Sequence, residues 1–255
     1  MNPSRNGSRA DGPARPGSTT SPPVASAVPQ LPLALRYPPD QRLETFVGAP
    51  AGVLEQLAAI ARGGSDDWLV LTGPAGAGKT HLLLAACAAA DEAGRRAAYL
   101  PLVAAAGRLG DALDALEGND LIALDALEAI AGRRDDEVAL FHAHNRARAA
   151  GTRIVYAARA NPDSLGLGLP DLRSRLSQCS RITLQPLEEQ GRREVLRQRA
   201  QRRGWVFEEA ALDWLLRRVD RDLAGLAALL DRLDKASLAA QRRITVPFLR
   251  QVLGG

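Results

Sequence analysis

The residues best suited to chemistry lie between an apolar run and a helix-forming run, in the segment WLVLTGPAGAGKTH at residues 68–81. Gly73, Gly78, Lys79 and Thr80 fit the pattern G-x-x-x-x-G-K-[ST]. Glycines allow the backbone to surround a phosphate with N–H groups at the start of the following helix. The lysine would then reach the β- and γ-phosphates, and the threonine hydroxyl would ligate Mg²⁺. The segment predicts a strand, a phosphate-binding loop and a helix, rather than an ordinary glycine-rich turn.

A second candidate for metal binding is Asp125, which ends the apolar run LIALD. A carboxylate at the end of such a strand is typical of the residue that holds Mg²⁺ together with the loop threonine, although it can also simply end a strand. Ala126 follows, where many ATPases of this architecture have a second acid that orients the attacking water. Glu128 is displaced by two residues and receives no role. We therefore expect slow hydrolysis at this site.

Composition restricts the remaining classes of function. The chain has 255 residues, a net charge of +4 and 46% hydrophobic residues, which is enough to form a substantial core. No apolar stretch is long enough for a membrane span, and the N-terminus has no hydrophobic signal region, so we expect a cytoplasmic protein without membrane contact. Cys87 and Cys179 lack metal-ligand spacing. The arginines are interspersed with acidic residues. They could therefore form either an ordinary solvated surface or a patch that binds nucleic acid.

The elements that must position these residues alternate along the chain. Apolar runs predict five strands and intervening helices, which indicates an α/β fold with a five-stranded parallel sheet between helices. The strands are expected at 68–72, 97–102, 121–124, 153–157 and 181–184, with helices after Val53 and at 79–93, 104–116 and 135–150. After Pro186 only helices are expected, at 188–203, 208–219, 222–240 and after Thr245, forming a small all-helical domain.

The N-terminal residues 1–29 are rich in Pro, Ser, Gly and Arg, and we expect a disordered tail. A short segment with alternating leucines follows at residues 30–36. Gln30, Leu31, Leu33 and Leu35 have the spacing of a linear motif whose alternate side chains enter an apolar groove. From spacing alone, the favoured interpretation is that these leucines attach the tail to the domain.

Several ordered motifs together resemble a known family. They are LETFVG at 43–48, the GPAGAGKTH loop, the LIALD strand, GLGLPDLRSRL at 166–176 and the helical ending. Their order resembles the AAA+ core of the DnaA family, and most closely the Hda branch of that family, whose members lack the C-terminal DNA-binding domain of DnaA. The segment QRRITVPF at 241–248 and the ending after the helical domain favour that branch.

The resemblance implies an AAA+ P-loop NTPase core at 37–187 and a helical lid domain at 188–255. It implies ADP (or ATP) with Mg²⁺ as cofactors, and Thr80 and Asp125 as metal ligands. The nucleotide-binding residues it implies are Phe46, Val47, Gly73, Pro74, Gly76, Ala77, Gly78, Lys79, Thr80 and His81.

The resemblance also implies negative regulation of replication initiation. Residues 30–36 resemble the Q-L-x-L-x-L sequences that bind the DNA polymerase III sliding clamp (the beta subunit). Arg175 matches the family's arginine finger, which would act on ATP held by DnaA, with Arg173 as a weaker candidate. DNA would be contacted mainly through the clamp, and a homodimer is compatible with this interpretation.

Some positions depart from the family pattern. Ala157 and Ala158 stand where related ATPases have a polar sensor, and Ala224 stands where the lid arginine is expected, with Arg221 one turn earlier as a substitute. These departures predict weak or absent intrinsic hydrolysis. The alternative is a stand-alone AAA+ ATPase, such as a helicase loader acting on DNA. We expect a DnaA-like origin-binding protein to be the less compatible alternative, because it would need a helix-turn-helix domain after the helical ending.

Overall fold

The computed structural model describes Tyr37, residues 40–218 and residues 243–253. Five strands form one parallel sheet in the order β2-β3-β4-β1-β5. Their bounds are β1 Leu69–Thr72, β2 Ala97–Pro101, β3 Leu121–Asp125, β4 Arg153–Ala158 and β5 Ser180–Thr183. The predicted five-stranded parallel sheet is confirmed.

Helices cover both faces of this sheet because its strands are apolar on both sides. On β1, Leu69 and Leu71 pack with α1 and α2, whereas Val70 packs in the core on the opposite face. The helices are α1 Val53–Arg62, α2 Lys79–Glu92, α3 Leu102–Ala105, α4 Leu109–Asp114, α5 Arg134–Ala150 and α6 Pro170–Ser177. Short 3₁₀ turns lie at Leu43–Thr45, Leu127–Ala129 and Pro162–Ser164.

The helix predicted at 104–116 is wrong, because the chain forms two short helices there, α3 and α4. The chain leaves helical geometry at Ala106, which has a ψ of 131°, and Gly107 follows with a φ of 86°. The buried Asp136 carboxylate accepts hydrogen bonds from the N–H groups of Gly107, at 2.6 Å, and Leu109, at 3.2 Å. A carboxylate from α5 thus stabilises the break and the start of α4.

The C-terminal part has its own small core. It contains α7 Glu189–Arg202, α8 Glu209–Arg218 and α9 Val246–Leu253. Leu196, Trp205, Leu215 and Leu249 are buried among these helices. A two-residue parallel ladder between β6 Val206–Phe207 and β7 Arg243–Ile244 accompanies the helices. The helix predicted at 222–240 lies outside the described residues.

Within the described part of the chain, no helix is long and apolar enough to cross a membrane. Both cysteines are free and buried, and Cys87 packs on the inner side of α2.

Candidate nucleotide-binding site

The loop between β1 and α2 has a shape that requires glycine. Gly73, Gly76 and Gly78 have φ values of 147°, 74° and 92°. A Cβ atom on Gly73 would lie 2.5 Å from the carbonyl oxygen of Leu184, and one on Gly78 would lie 2.6 Å from the Phe46 ring. At Gly73 and Gly78 any other residue would therefore have an unfavourable φ and would also place its Cβ atom too close to a neighbouring group.

Lys79, the first residue of α2, turns its side chain back over this loop. Its Nζ atom donates hydrogen bonds to the carbonyl oxygens of Gly73, at 2.7 Å, and Pro74, at 2.8 Å. Burial lowers the pKa of the Lys79 ammonium, and the negative charges of Glu128 and Asp125 oppose that shift. An ammonium held against a glycine-rich loop is suited to contact with phosphate oxygens.

The two predicted metal ligands lie together at the end of β3. Thr80 Oγ1 donates a hydrogen bond to Oδ2 of Asp125 at 2.6 Å. The hydroxyl of Tyr99 donates to the same oxygen at 2.9 Å. Asp125 is only 8% exposed, so these contacts compensate a largely buried carboxylate.

Tyr99 is a site residue that the sequence analysis missed. It lies on β2, two residues before Pro101, which pairs with Asp125 in the ladder. Burial and, less strongly, the charge of Asp125 raise the pKa of Tyr99, so its hydroxyl stays a donor. The signal available in the sequence was a single polar ring in an apolar strand, and it became useful only once β2 was known to lie beside β3.

A cavity of about 500 Å³ extends from these residues to α7. Eight of the predicted residues line it: Phe46, Val47, Gly76, Gly78, Lys79, Thr80, His81 and Asp125. The predicted Gly73, Pro74 and Ala77 do not line it. The carbonyl groups of Gly73 and Pro74 accept hydrogen bonds from Lys79, and Ala77 is buried. Residues not predicted also line it: Gln41, Thr45, Ala75, Ala126, Glu128, Leu187, Val195, Gln198, Arg199 and Arg202.

Two aromatic rings and two arginines lie at one end of the cavity. The Phe46 and His81 rings pack edge to face with centroids 5.2 Å apart, and His81 Nε2 lies 3.0 Å from the carbonyl oxygen of Arg42. Burial lowers the pKa of His81, and the nearby charges of Arg199 and Arg202 lower it further, against the opposing hydrogen bond to Arg42. The imidazole is therefore neutral at neutral pH, next to a face of α7.

An ion-pair cluster joins α7 to the start of the described core. The Asp40 carboxylate lies 2.6 Å from the guanidinium of Arg203 and 3.6 Å from that of Arg202. The side chains of Asp40 and Arg203 are only 15% and 18% exposed, so this cluster is better shielded from water than an ordinary surface pair. Because Arg202 also lines the cavity, the cluster connects the segment around Asp40 to the wall of the site.

The chain reverses direction directly after Asp125. Ala126 has a φ of 63°, and it is the only residue other than glycine with a positive φ in the described part of the chain. The turn buries Leu127 and places Glu128 in the cavity wall. Glu128 accepts a hydrogen bond from the Arg159 N–H at 3.1 Å. The acid to which the sequence analysis gave no role therefore belongs to the site.

Other predicted positions differ in how they relate to the cavity. Ala157 and Ala158 are completely buried on β4 and offer no polar side chain. Ala224 and Arg221 lie outside the described residues, as do Gln30, Leu31, Leu33 and Leu35.

Arg175 lies away from this cavity. It is half-buried on α6, does not line the cavity, and makes no ion pair or side-chain hydrogen bond with another described residue. The guanidinium lies close enough to the buried His144 to lower the pKa of that imidazole. Arg175 is therefore not part of the candidate nucleotide-binding site.

The fold is shared with solved AAA+ proteins. Domain III of DnaA from Thermotoga maritima is 21% identical, with 86% of this chain covering 98% of that chain at a TM-score of 0.70. AMPPCP-bound DnaA from Aquifex aeolicus is 21% identical, with coverage of 79% and 67% and a TM-score of 0.63. The RuvB Holliday junction branch migration motor of Thermotoga maritima is 21% identical, with coverage of 85% and 72% and a TM-score of 0.61.

A family model matches the C-terminal part of this chain. Residues 189–253 match the lid domain of Hda. The match includes α7, α8 and α9, the helices that follow the parallel sheet among the described residues. The match to the Hda lid domain and the fold shared with domain III of DnaA together support an AAA+ protein related to Hda and DnaA.

Proposed function

We propose that this protein is a negative regulator of replication initiation that stimulates ATP hydrolysis by DnaA. The match of residues 189–253 to the Hda lid domain carries the proposal. In this function the ADP-bound chain acts in the cytoplasm and binds the DNA-loaded sliding clamp through residues 30–36. It then converts ATP-bound DnaA to the ADP form, so that initiation does not repeat.

The cavity supports the nucleotide-binding part of this proposal. Glycines whose neighbours leave no room for a Cβ atom, the Lys79 ammonium and a volume of about 500 Å³ suit a nucleoside diphosphate or triphosphate. The Thr80 hydroxyl and the Asp125 carboxylate are oxygen ligands of the kind that Mg²⁺ prefers, with phosphate and water oxygens completing its coordination. Bound Mg²⁺ would neutralise part of the phosphate charge.

The same cavity supports binding more than turnover. Ala126 follows Asp125 without a carboxylate, and Ala157 and Ala158 lack the polar atoms that would read a γ-phosphate. A site of this kind can retain ADP as a structural ligand. The contacts between α7 and Asp40 would then make the lid's position depend on nucleotide occupancy.

Arg175 is the residue that we propose acts on DnaA. Its position outside the chain's own cavity supports a role in a neighbour's site. A guanidinium inserted there would stabilise the negative charge that develops on the transferring phosphoryl group. Such fingers contribute about 10³- to 10⁵-fold in rate in other NTPases.

A reconstituted assay with clamp-loaded DNA and ATP-bound DnaA tests this role. Arg175→Ala is expected to abolish stimulated hydrolysis while clamp pull-down is retained. Arg181→Ala, an exposed arginine that pairs with Asp163, serves as the control and should stimulate like the unmodified chain. If Arg175→Ala still stimulates hydrolysis, Arg175 is not the arginine finger. If only Arg173→Ala loses stimulation, Arg173 is the finger instead.

Clamp attachment is tested separately from catalysis. Gln30→Ala combined with Leu33→Ala should eliminate pull-down by the clamp, because one change removes the polar contact and the other an anchoring leucine. Nucleotide retention should be unaffected. Unchanged pull-down would contradict the role of residues 30–36.

The position of Glu128 favours one alternative, a stand-alone ATPase such as a helicase loader. Glu128 lines the cavity close to Asp125 and could orient water despite its displacement along the sequence. Steady-state hydrolysis by the isolated protein and the mass of its co-purified nucleotide separate the two functions. Retained ADP with negligible turnover favours the regulator, whereas turnover that Glu128→Gln abolishes favours the alternative.

A further inference from the structure

A fully buried carboxylate lies beneath the loop that leads into α6. Glu137, in the first turn of α5, is 0% exposed. Its Oε1 atom accepts hydrogen bonds from the N–H groups of Gly132, at 2.7 Å, and Gly168, at 3.0 Å, and its Oε2 atom accepts one from Leu169 at 2.6 Å. Among the described residues, no cation pairs with it, so its charge is compensated by backbone N–H groups and by the N-terminus of α5.

Two of these three donors immediately precede α6. Leu169 is the residue before the first turn of α6 and makes no side-chain cap, and Pro170, the first residue of that helix, has no N–H group. Glu137 therefore provides from outside an acceptor that a capping side chain would ordinarily provide. The start of α6 is fixed to α5 by a charged group instead of by its own sequence.

Apolar packing holds α6 along one face. Leu172 and Leu176 are 0% exposed and bury one face of the helix. Arg175 lies five residues after Pro170, so a shift or rotation at the start of the helix is carried directly to its guanidinium. Apolar packing alone is non-directional, whereas the bonds to Gly168 and Leu169 fix the direction in which the helix leaves the loop.

We infer that Glu137 is a positioning residue for Arg175. It acts by fixing the loop at Gly168 and Leu169, from which α6 begins. This inference rests on the proposed function, since it concerns the reach of Arg175 into the DnaA site. A displacement of a catalytic group by about 1 Å can reduce a rate by about 10²-fold. Loss of the Glu137 contacts should therefore reduce catalysis without reducing attachment to the clamp.

The adjacent residue provides a matched control. Asp136 is also buried, is 3% exposed, and accepts two backbone N–H bonds, but those bonds fix the start of α4. Glu137→Gln and Asp136→Asn each replace a buried carboxylate by an amide, whose NH₂ group cannot accept from an N–H donor. Both variants should lose comparable thermal stability, and only the first should displace α6.

Stimulated hydrolysis by DnaA is measured as a function of the concentration of each variant. Glu137→Gln should lower the maximal stimulated rate by at least ~10-fold while the half-saturating concentration and ADP retention stay within about twofold. Asp136→Asn should leave both parameters within about twofold. If Glu137→Gln does not give folded protein, Glu137→Asp keeps the charge but withdraws the carboxylate by one methylene group, and the same difference is expected.

Amide hydrogen exchange provides a readout that does not involve DnaA. The Gly168 and Leu169 amides should exchange faster in Glu137→Gln, and the Gly107 and Leu109 amides faster in Asp136→Asn. Absence of stimulation by the unmodified chain would contradict the proposed function. Stimulation that Arg175→Ala abolishes but Glu137→Gln retains, or unchanged exchange at Gly168 and Leu169, would overturn only the positioning role.

Discussion

At the scale of single residues, two glycines of the phosphate loop differ in what surrounds them. A Cβ atom on Gly73 would contact the backbone oxygen of Leu184. Leu184 directly follows β5, so its backbone cannot move without displacing the edge of the sheet. A Cβ atom on Gly78 would meet the ring of Phe46, which can move aside more easily. Both glycines belong to the sequence motif, but replacement by a larger residue is expected to be tolerated less at Gly73 than at Gly78.

Gly73→Ala is expected to lower nucleotide affinity by at least ~10-fold, because the 2.5 Å contact with Leu184 forces the loop to shift. Affinity is measured by titration with a fluorescent ADP analogue. Gly94→Ala is the control, since Gly94 also has a positive φ, 73°, but nothing lies within 4 Å of its added Cβ. That control should cost about 1–2 kcal/mol of stability and leave affinity unchanged. Equal affinities in the two variants would contradict this account.

At the scale of secondary-structure elements, α7 has two contacts with the core. One face of it lines the cavity through Val195, Gln198 and Arg202, and its end holds the Asp40 carboxylate. Because one rigid helix makes both contacts, movement of α7 away from Asp40 would open the cavity. The ion-pair cluster is thus expected to slow nucleotide release.

Asp40→Asn should increase the rate of ADP dissociation several-fold, because it removes the charge that attracts Arg202 and Arg203. Dissociation is followed by displacement of a fluorescent ADP analogue with excess ADP. Asp114→Asn removes an exposed pair with Arg146, of the kind that contributes about 0.2–1 kcal/mol. That variant should release ADP at the unmodified rate, and an equal acceleration in both would show that the effect is not specific to α7.

At the scale of the whole molecule, a buried histidine links stability to pH. His144 is 1% exposed, its Nδ1 atom lies 3.0 Å from the Tyr156 hydroxyl, and its ring packs against Trp68. Burial, with the charges of Arg175 and Arg148, lowers the pKa of His144 to about 4. The unfolded chain takes up this proton near pH 6.5, so protonation favours the unfolded state between these values.

The free energy of unfolding should therefore fall as the pH decreases from 6.5 to 4, by on the order of 3 kcal/mol from this residue. Urea unfolding at pH 7 and at pH 4.5 measures the difference. His144→Asn should be less stable at pH 7, yet lose less stability on acidification than the unmodified chain. His142→Asn, an exposed change on the same helix, should retain the original dependence. An unchanged pH dependence in His144→Asn would exclude this histidine as its source.

The sequence predicted the sheet and the core of the site because both depend on local patterns. Apolar strands of four to six residues and the G-x-x-x-x-G-K-T spacing are sufficient to predict β1, the loop and the meeting of Thr80 with Asp125. Tyr99 and Glu128 could not be found in this way. Tyr99 reaches Asp125 only because β2 lies beside β3, and Glu128 reaches the cavity only because Ala126 adopts a left-handed conformation that alanine does not favour. The break between α3 and α4 depends on Asp136, nearly thirty residues away.

The first turn of α5 has a consequence for insertions and deletions. Asp136 and Glu137 are consecutive, so they point in directions about 100° apart and fix two different loops. One residue inserted before them would rotate both carboxylates together, withdrawing one from Gly107 and the other from Leu169. No substitution could restore both contacts independently. Length variation should therefore be tolerated far less at this turn than in the surface loops of the chain, and homologous sequences should align without gaps across residues 132–137.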